Sequence, residues 1–364
     1  MKKLKKTDKE KIKRIIFCVL IFIYIILMSV LLIRNLTNKK YQPLLKDNFS
    51  NQAKQRNNLE EKIENKLTKE RAIDGILVKE DSFDFYPVAI TIDNNVSAKP
   101  QAGLDKANLI IEAPVEGGIT RFLAIFADGE DIDKIGPVRS ARPYFLDWAK
   151  EFEALYCHVG GSPEALKLIK QKSAVLNLDQ YYKSRYYWRS SKRSRPHNVF
   201  TSSELLNKAL ENYFLTEHNF SSLVFKNEIE LEERGESLNN IIINFSVGNY
   251  NLVMWEYNRE NNEYSRFHNG KPHFDENENV IKTKNLIIQK TKIISIDNED
   301  RKRIKTIGNG NAIIFLDGKI IDGKWEKLSQ ENRTKFYDQN NEEIKFNRGK
   351  TWIEVVDENM ELIY

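Results

Sequence analysis

Apolar positions along the chain fall into three textures. Ile15 to Ile33 is an apolar run of 19 residues without a charge, long enough to cross a bilayer as one helix. Residues 34–83 are largely polar. Within them Asn51 to Glu70 sets sparse Leu and Ile among Gln, Asn, Lys and Glu, the pattern of a stalk. Short apolar runs follow. Pro87 to Asp93, Leu109 to Glu112, Phe122 to Ala127 and Leu155 to Val159 predict buried strands. Tyr144, Phe145, Trp148, Phe152 and Leu155 recur at helical spacing, with Pro143 suited to the first helical position. Ser162 caps a second predicted helix that begins at Pro163 and reaches about Lys172. Strands alternating with helices predict an α/β domain over 84–227 with a largely parallel or mixed sheet. From about Asn240 the texture changes to short strands and turns, with Asp317-Gly318 and Asp322-Gly323 as turn signals. This predicts a smaller β-rich domain over 238–364, after an acidic linker at 228–237.

Charge sharpens the first texture. Residues 1–40 hold 11 Lys/Arg and 2 Asp/Glu, a net of +9, which leaves −4 of the chain's +5 for the remainder. A basic tail over 1–14 before an apolar run keeps that end in the cytoplasm and sends the later residues outward. The run is followed by Arg34-Asn-Leu-Thr-Asn-Lys-Lys40 and no A-x-A-like site, so residues 15–33 predict a single uncleaved transmembrane anchor. Cys18 lies inside the run behind Ile16-Phe17, unlike a lipidated cysteine, and with Cys157 it makes no disulfide framework. The basic character belongs to the anchor, so the body of the protein is not expected to bind nucleic acid.

Candidate chemistry gathers at the predicted ends of strands, where ligands collect in open α/β sheets. Arg139, Ser140 and Arg142 arrive just before a helix start, where unpaired N–H groups and the macrodipole favour an anion. The competing expectation is that the arginines pair with Glu112 or Glu116. Asp93, Glu112 and His158 also fall at strand ends, His158 just before Gly160-Gly161, and the paired Gly117-Gly118 permits a tight turn or close backbone approach to a ligand. Asp93, Glu112, Glu116, His158, Asp179 and His197 show no tight ligand spacing, so neither metal nor cofactor is expected. Cys157 and His158, as strand neighbours, point to opposite faces and make a poor nucleophile pair. Tyr181 to Asn198 interleaves six basic residues with Tyr181, Tyr182, Tyr186, Tyr187 and Trp188. Such a segment can stack on sugars and pair with phosphates, or tuck its aromatics into the core. His273 and Asp275 are expected in a turn rather than as an acid/base pair.

Several of these motifs occur in one order: Ile92-Asp93-Asn94, Lys99-Pro-Gln-Ala-Gly-Leu104, Glu116-Gly-Gly-Ile-Thr-Arg-Phe122, Gly136-Pro-Val-Arg-Ser-Ala-Arg-Pro-Tyr144, His158-Val-Gly-Gly-Ser-Pro163 and Arg195-Pro-His-Asn198. Gly270-Lys-Pro-His273, Gly323-Lys-Trp325 and Gly349-Lys-Thr-Trp-Ile353 continue it. Over about residues 74–356 the chain resembles the YerB-like family, a domain of unknown function in bacterial, often lipid-anchored, envelope proteins. The resemblance implies an extracytoplasmic α/β domain followed by a small β-rich one, and brings no settled activity. Two departures stand out: a transmembrane anchor in place of a lipidated cysteine, and Ser190 after Arg189 where an acidic residue is the family's pattern.

The resulting expectation is a single-pass protein of the bacterial cytoplasmic membrane, N-terminus inside and both domains outside. It would bind, and process if it is an enzyme, an anionic envelope glycan or lipid-linked phosphate. Arg121, Arg139, Ser140, Arg142, Gly160, Gly161, His197 and Asn198 are the expected ligand contacts. Asp93, Glu116 and His158 are the expected catalytic groups. The alternative is a non-catalytic adaptor that docks other envelope or division proteins.

Overall fold

The computed structural model describes residues 11, 13–36, 68–82, 85–171, 175–236, 240–246, 248 and 250–364. Helix α1, Lys13–Leu36, has a mean hydropathy of 3.2 over its most apolar stretch and none of that stretch is buried. Most of the expected stalk lies outside the described residues. Residues 69–364 form one compact unit, and order begins before residue 84: Ile73 is buried and Asp74 accepts a 2.9 Å hydrogen bond from Asn108 Nδ2.

That unit is organised by one ten-stranded sheet. Its strands in chain order are β1 (Val88–Asp93), β2 (Leu109–Pro114), β3 (Thr120–Phe126), β4 (Leu155–His158), β5 (Asn177–Asp179), β6 (Asn285–Thr291), β7 (Gly308–Leu316), β8 (Lys319–Lys327), β9 (Lys335–Asp338) and β10 (Thr351–Asp357). Across the sheet the order is β9-β8-β7-β6-β10-β2-β3-β1-β4-β5. Pairing is mixed. β6 with β10, β10 with β2, β1 with β4 and β4 with β5 run parallel, and the other neighbours antiparallel. β1 is buried along its whole length, as a central strand covered on both faces must be. Among the described residues the unit has three α-helices: α2 (Pro143–Lys150), α3 (Pro163–Ile169) and α4 (Ser203–Asn212).

The alternation of side chains sorts the core into two layers. Ala89, Ile111, Leu123, Ile353 and Val355 pack with Tyr144, Phe145 and Trp148 of α2 and Ala165 of α3. Ile90, Ile92, Phe122, Ala124 and Trp352 pack on the other face with Leu206 and Ala209 of α4. A second antiparallel sheet, built on Ile241–Asn244, Leu252–Asn258 and Glu263–His268, covers that same face through Ile243, Val253 and Trp255. Trp352 meets Phe122 and Trp255 edge-on, with ring centroids 5.4 and 5.1 Å away.

The segments on either side of the expected linker at 228–237 share one sheet. Strands from both sides of that stretch lie side by side: β10 pairs with β6 through Ile353↔Ile287 and with β2 through Ile353↔Ile111. Gly235, inside the expected linker, donates its N–H to Asp317 O at 2.8 Å. The predicted helix at 144–155 is also shorter. α2 stops at Lys150, the chain reverses at Glu153 with φ +50°, and Leu155 opens β4. Ser162 caps α3 as expected, its Oγ accepting from Ala165 N, but that helix ends at Ile169.

Candidate functional site

Asp93 ends β1 with its side chain fully buried. Its Oδ2 takes two charge-assisted contacts, Arg139 Nε at 2.9 Å and His197 Nδ1 at 2.6 Å, while Oδ1 accepts from Asn95 N at 3.0 Å. Buried carboxylates persist when paired and hydrogen-bonded in this way. One strand over, Arg121 is the register partner of Asp93. Arg121 donates to Ser140 O at 3.2 Å and lies 3.7 Å from Glu116. Arg142 pairs with Glu116 through Nη2 and donates Nη1 to Ala141 O at 2.7 Å. The burial of Arg121, followed by repulsion from Arg142 and Arg139, pulls its guanidinium down to about 10. Three guanidiniums therefore surround two carboxylates.

Accessibility separates these cations. The side chains of Arg121 and Arg142 are only 5% and 9% exposed, and Glu116 occupies them. Arg139 and His197 keep 18% and 17% exposure. Asp93 holds both from behind. Among the described residues, Arg139 Nη1 and Nη2 and His197 Nε2 have no hydrogen-bond partner. The open edge of the cluster thus presents a guanidinium fork beside an imidazole nitrogen. A fork of this kind fits the oxygens of phosphate or carboxylate, and an imidazole with its Nδ1–H held by a carboxylate has Nε2 free to take a proton.

The backbone explains why the two arginines arrive here. Val159 N donates to Arg139 O, Ala141 N to Gly160 O and Ser162 N to Ala141 O, stitching 139–142 alongside 159–162. Gly160 makes this register possible: its φ is +56°, and a Cβ there would lie 2.7 Å from the Tyr181 ring. Gly161 packs on Ala141. Both glycines act as spacers for the arginine segment. Asp179 Oδ1 fixes the same turn by accepting from Gly160 N at 2.9 Å.

Other expected site residues are placed differently. His158 is wholly buried, bonded through Nδ1 to Gly160 O at 2.7 Å and stacked on Tyr156. Desolvation holds its imidazole below the ordinary value. It supports the turn from inside, and its Nε2 is buried with no hydrogen-bond partner among the described residues, away from the open edge at Arg139. Glu116 is tied to Arg142 and Arg121, and Asp93 has both oxygens engaged, so neither is poised as the direct base. Asn198 accepts from Arg189 Nη1 at 3.0 Å, bracing the basic segment behind His197. The Ser140 hydroxyl has no partner among the described residues. Of the two expected acidic partners for the arginines, Glu116 is used. Glu112 is not.

Glu112 instead anchors a buried network that sequence patterns did not reveal. Its Oε2 accepts from Arg266 Nη2 at 2.7 Å, and its Oε1 accepts from Thr120 Oγ1 and Asn94 Nδ2 at 2.5 and 3.1 Å. Arg266 Nη1 donates to His273 Nδ1 at 2.7 Å, His273 Nε2 meets Gln101 Oε1 at 2.8 Å, and Gln101 Nε2 reaches Asp93 O at 2.9 Å. His273 is held neutral, well below its ordinary value, by burial and by the adjacent Arg266. Asp275 Oδ2 accepts from Leu104 N at 2.9 Å. Asp275 also opens a turn, its Oδ1 accepting from Asn277 N at 3.2 Å as expected, and both His273 and Asp275 cross-link to the first half of the chain. Glu354, buried beside Glu112, is raised well above the carboxylate range by desolvation. Among the described residues Lys99 Nζ is buried with no hydrogen-bond partner, and it falls to about 6, through desolvation and then Arg266.

The basic segment divides as well. Tyr186 and Tyr187 are buried, whereas Tyr181 and Tyr182 are exposed on its outer side. Next to the start of α2, a cavity of about 190 Å³ is lined by Arg142, Ser162, Arg301 and Lys302 among others. The last two come from the second half of the chain. No group of three His, Cys, Asp or Glu among the described residues is arranged to hold a metal ion.

With this architecture in place, comparison with known proteins assigns the class. Residues 74–216 match the N-terminal domain, and residues 241–353 the C-terminal domain, of a family described as protein of unknown function DUF3048. The chain belongs to this YerB-like family. Its relative YerB from Bacillus subtilis (strain 168), named "Putative lipoprotein YerB", is 31% identical over 273 residues, covering 74% of this chain and 81% of the relative. The crystal structure of Bacillus subtilis YerB superposes with a TM-score of 0.72 at 28% identity, covering 81% of this chain and all of that one.

Proposed function

We propose that this chain is a membrane-anchored extracytoplasmic protein whose folded body binds an anionic cell-envelope ligand, an acidic wall glycan or a lipid-linked phosphate. The observation that carries this reading is the open guanidinium of Arg139, whose Nη atoms lack hydrogen-bond partners among the described residues while Nε lies 2.9 Å from the fully buried Asp93 carboxylate. A pre-positioned fork loses little side-chain freedom when an oxyanion docks. The excess of cations over carboxylates in the cluster leaves one positive charge uncompensated, and an anion would relieve the mutual repulsion of the arginines. The name of the Bacillus relative and the apolar α1 support attachment to a membrane.

The test is thermal unfolding of the full chain in detergent against muropeptides, teichoic-type polymers and polyprenyl pyrophosphate analogues. A ligand at 100 times its Kd stabilises the native state by about 2.7 kcal/mol. The expected result is a shift for at least one of them that disappears in Arg139→Ala. No shift with any member of the panel would leave an adaptor that docks other envelope proteins as the better description.

A further inference from the structure

We infer that Asp93, His197 and Arg139 form a proton-transfer centre that cleaves phosphodiesters, with His197 as the group that moves the proton. This goes beyond binding and rests on the anion site proposed at Arg139. Three observations carry it. The His197 Nδ1 to Asp93 Oδ2 contact is short, 2.6 Å, and the carboxylate is fully buried. It therefore fixes both the tautomer and the orientation of the ring, leaving Nε2 as an acceptor. Nε2 lies on the accessible side and has no partner among the described residues. Arg139 Nε lies 2.9 Å from the same Asp93 oxygen, so one carboxylate oxygen gathers the guanidinium and the imidazole.

Charge selects the ester class. Three guanidiniums against two carboxylates leave room for a singly charged phosphodiester better than for a dianionic monoester. In the step, His197 Nε2 accepts a proton from an attacking water as its oxygen bonds to phosphorus. The bond from phosphorus to the leaving alcohol oxygen breaks, and His197 returns the proton to that oxygen. Water and diester become monoester and alcohol, with no oxidant or metal redox change needed. Arg139 stabilises charge on the phosphoryl oxygens, and Asp93 is a positioning residue that never leaves its two partners.

The experiment uses the full chain in detergent with bis(4-nitrophenyl) phosphate, following nitrophenolate release. Wild-type protein should turn the probe over. His197→Gln should lower kcat by at least a hundredfold with KM changed less than threefold, since glutamine keeps a polar side chain but moves no proton. Arg139→Lys should raise KM and lower kcat, since the fork both holds the diester and stabilises charge in the step. Unaltered unfolding temperatures certify both variants, and His197→Asn serves as a second replacement if the glutamine variant is unstable. Absence of release by wild-type protein overturns the inference, as does equal turnover in His197→Gln. An Arg139-dependent thermal shift surviving either result leaves the binding proposal intact, so the two can fail separately.

Discussion

At the scale of single residues, the molecule concentrates buried charge between the two halves of its sequence. Lys99 is the extreme case. Among the described residues its amine has no hydrogen-bond partner, and it sits near Arg266, so the folded state holds it neutral down to about pH 6. The unfolded chain protonates the same amine below its ordinary value near 10.5. Between those limits the unfolded state binds the extra proton, so this group makes stability rise with pH and costs most below about 6. Lys99→Met should therefore stabilise the protein at pH 7, by about 1–3 kcal/mol. The gain should shrink as pH is raised toward 10.5. Chemical denaturation of both proteins at several pH values checks it, and a pH-independent difference would show that packing, not charge, is the cause. Arg266 is the opposite case, fully buried but bonded to Glu112 and His273. Removing one partner of such a pair strands the other charge.

At the scale of elements, β10 decides how the chain divides. It is drawn from the last residues of the sequence, yet it lies between β6 and β2. Without it β2 would present an open hydrogen-bonding edge, and Phe122 would lose the Trp352 ring beside it. We expect residues 69–236, produced alone, to show no cooperative unfolding, and co-expression with residues 237–364 to restore a soluble complex with a single transition. Circular dichroism and size-exclusion chromatography read both outcomes. A cooperatively folding first segment would mean that the shared sheet contributes little. The periodic pattern did predict β1, β2, β3 and β4 from their apolar runs, because fully buried strands must be continuously hydrophobic. It overextended α2 because Phe152 and Leu155 are buried for reasons outside the helix: one packs in the turn after it, the other begins β4.

At the scale of the whole molecule, α1 and the folded unit are separate bodies, and α1 exposes its apolar surface throughout. Burying about 19 apolar residues in lipid is the arrangement that satisfies such a helix. The chain should stay in the membrane pellet after alkaline carbonate extraction, and deletion of residues 1–36 should release it to the soluble fraction. Protease added outside intact cells, once the wall is removed, should degrade the folded body. Its protection under those conditions would reverse the proposed orientation.

The sequence by itself determined what depends on neighbours along the chain. The anchor follows from an uninterrupted apolar run with a basic flank. The buried strands follow from β-branched runs, and the α3 cap from Ser162-Pro163. The family follows from short motifs kept in order, and those motifs also named the residues that meet at the site: Asp93, Glu116, Arg121, Arg139, Arg142 and His197. Their contacts were decided only by the tertiary structure, because the partners are distant in sequence. Asp93 and His197 are 104 residues apart, and their contact joins an expected base to an expected ligand contact. Glu112 and Arg266 are 154 apart, and no local pattern distinguishes a charge bound for the core from one bound for solvent. The same holds for the shared sheet. Hydrogen bonding between β10 and β2 leaves no periodic trace in either strand, since each would read as a buried strand whatever lay beside it.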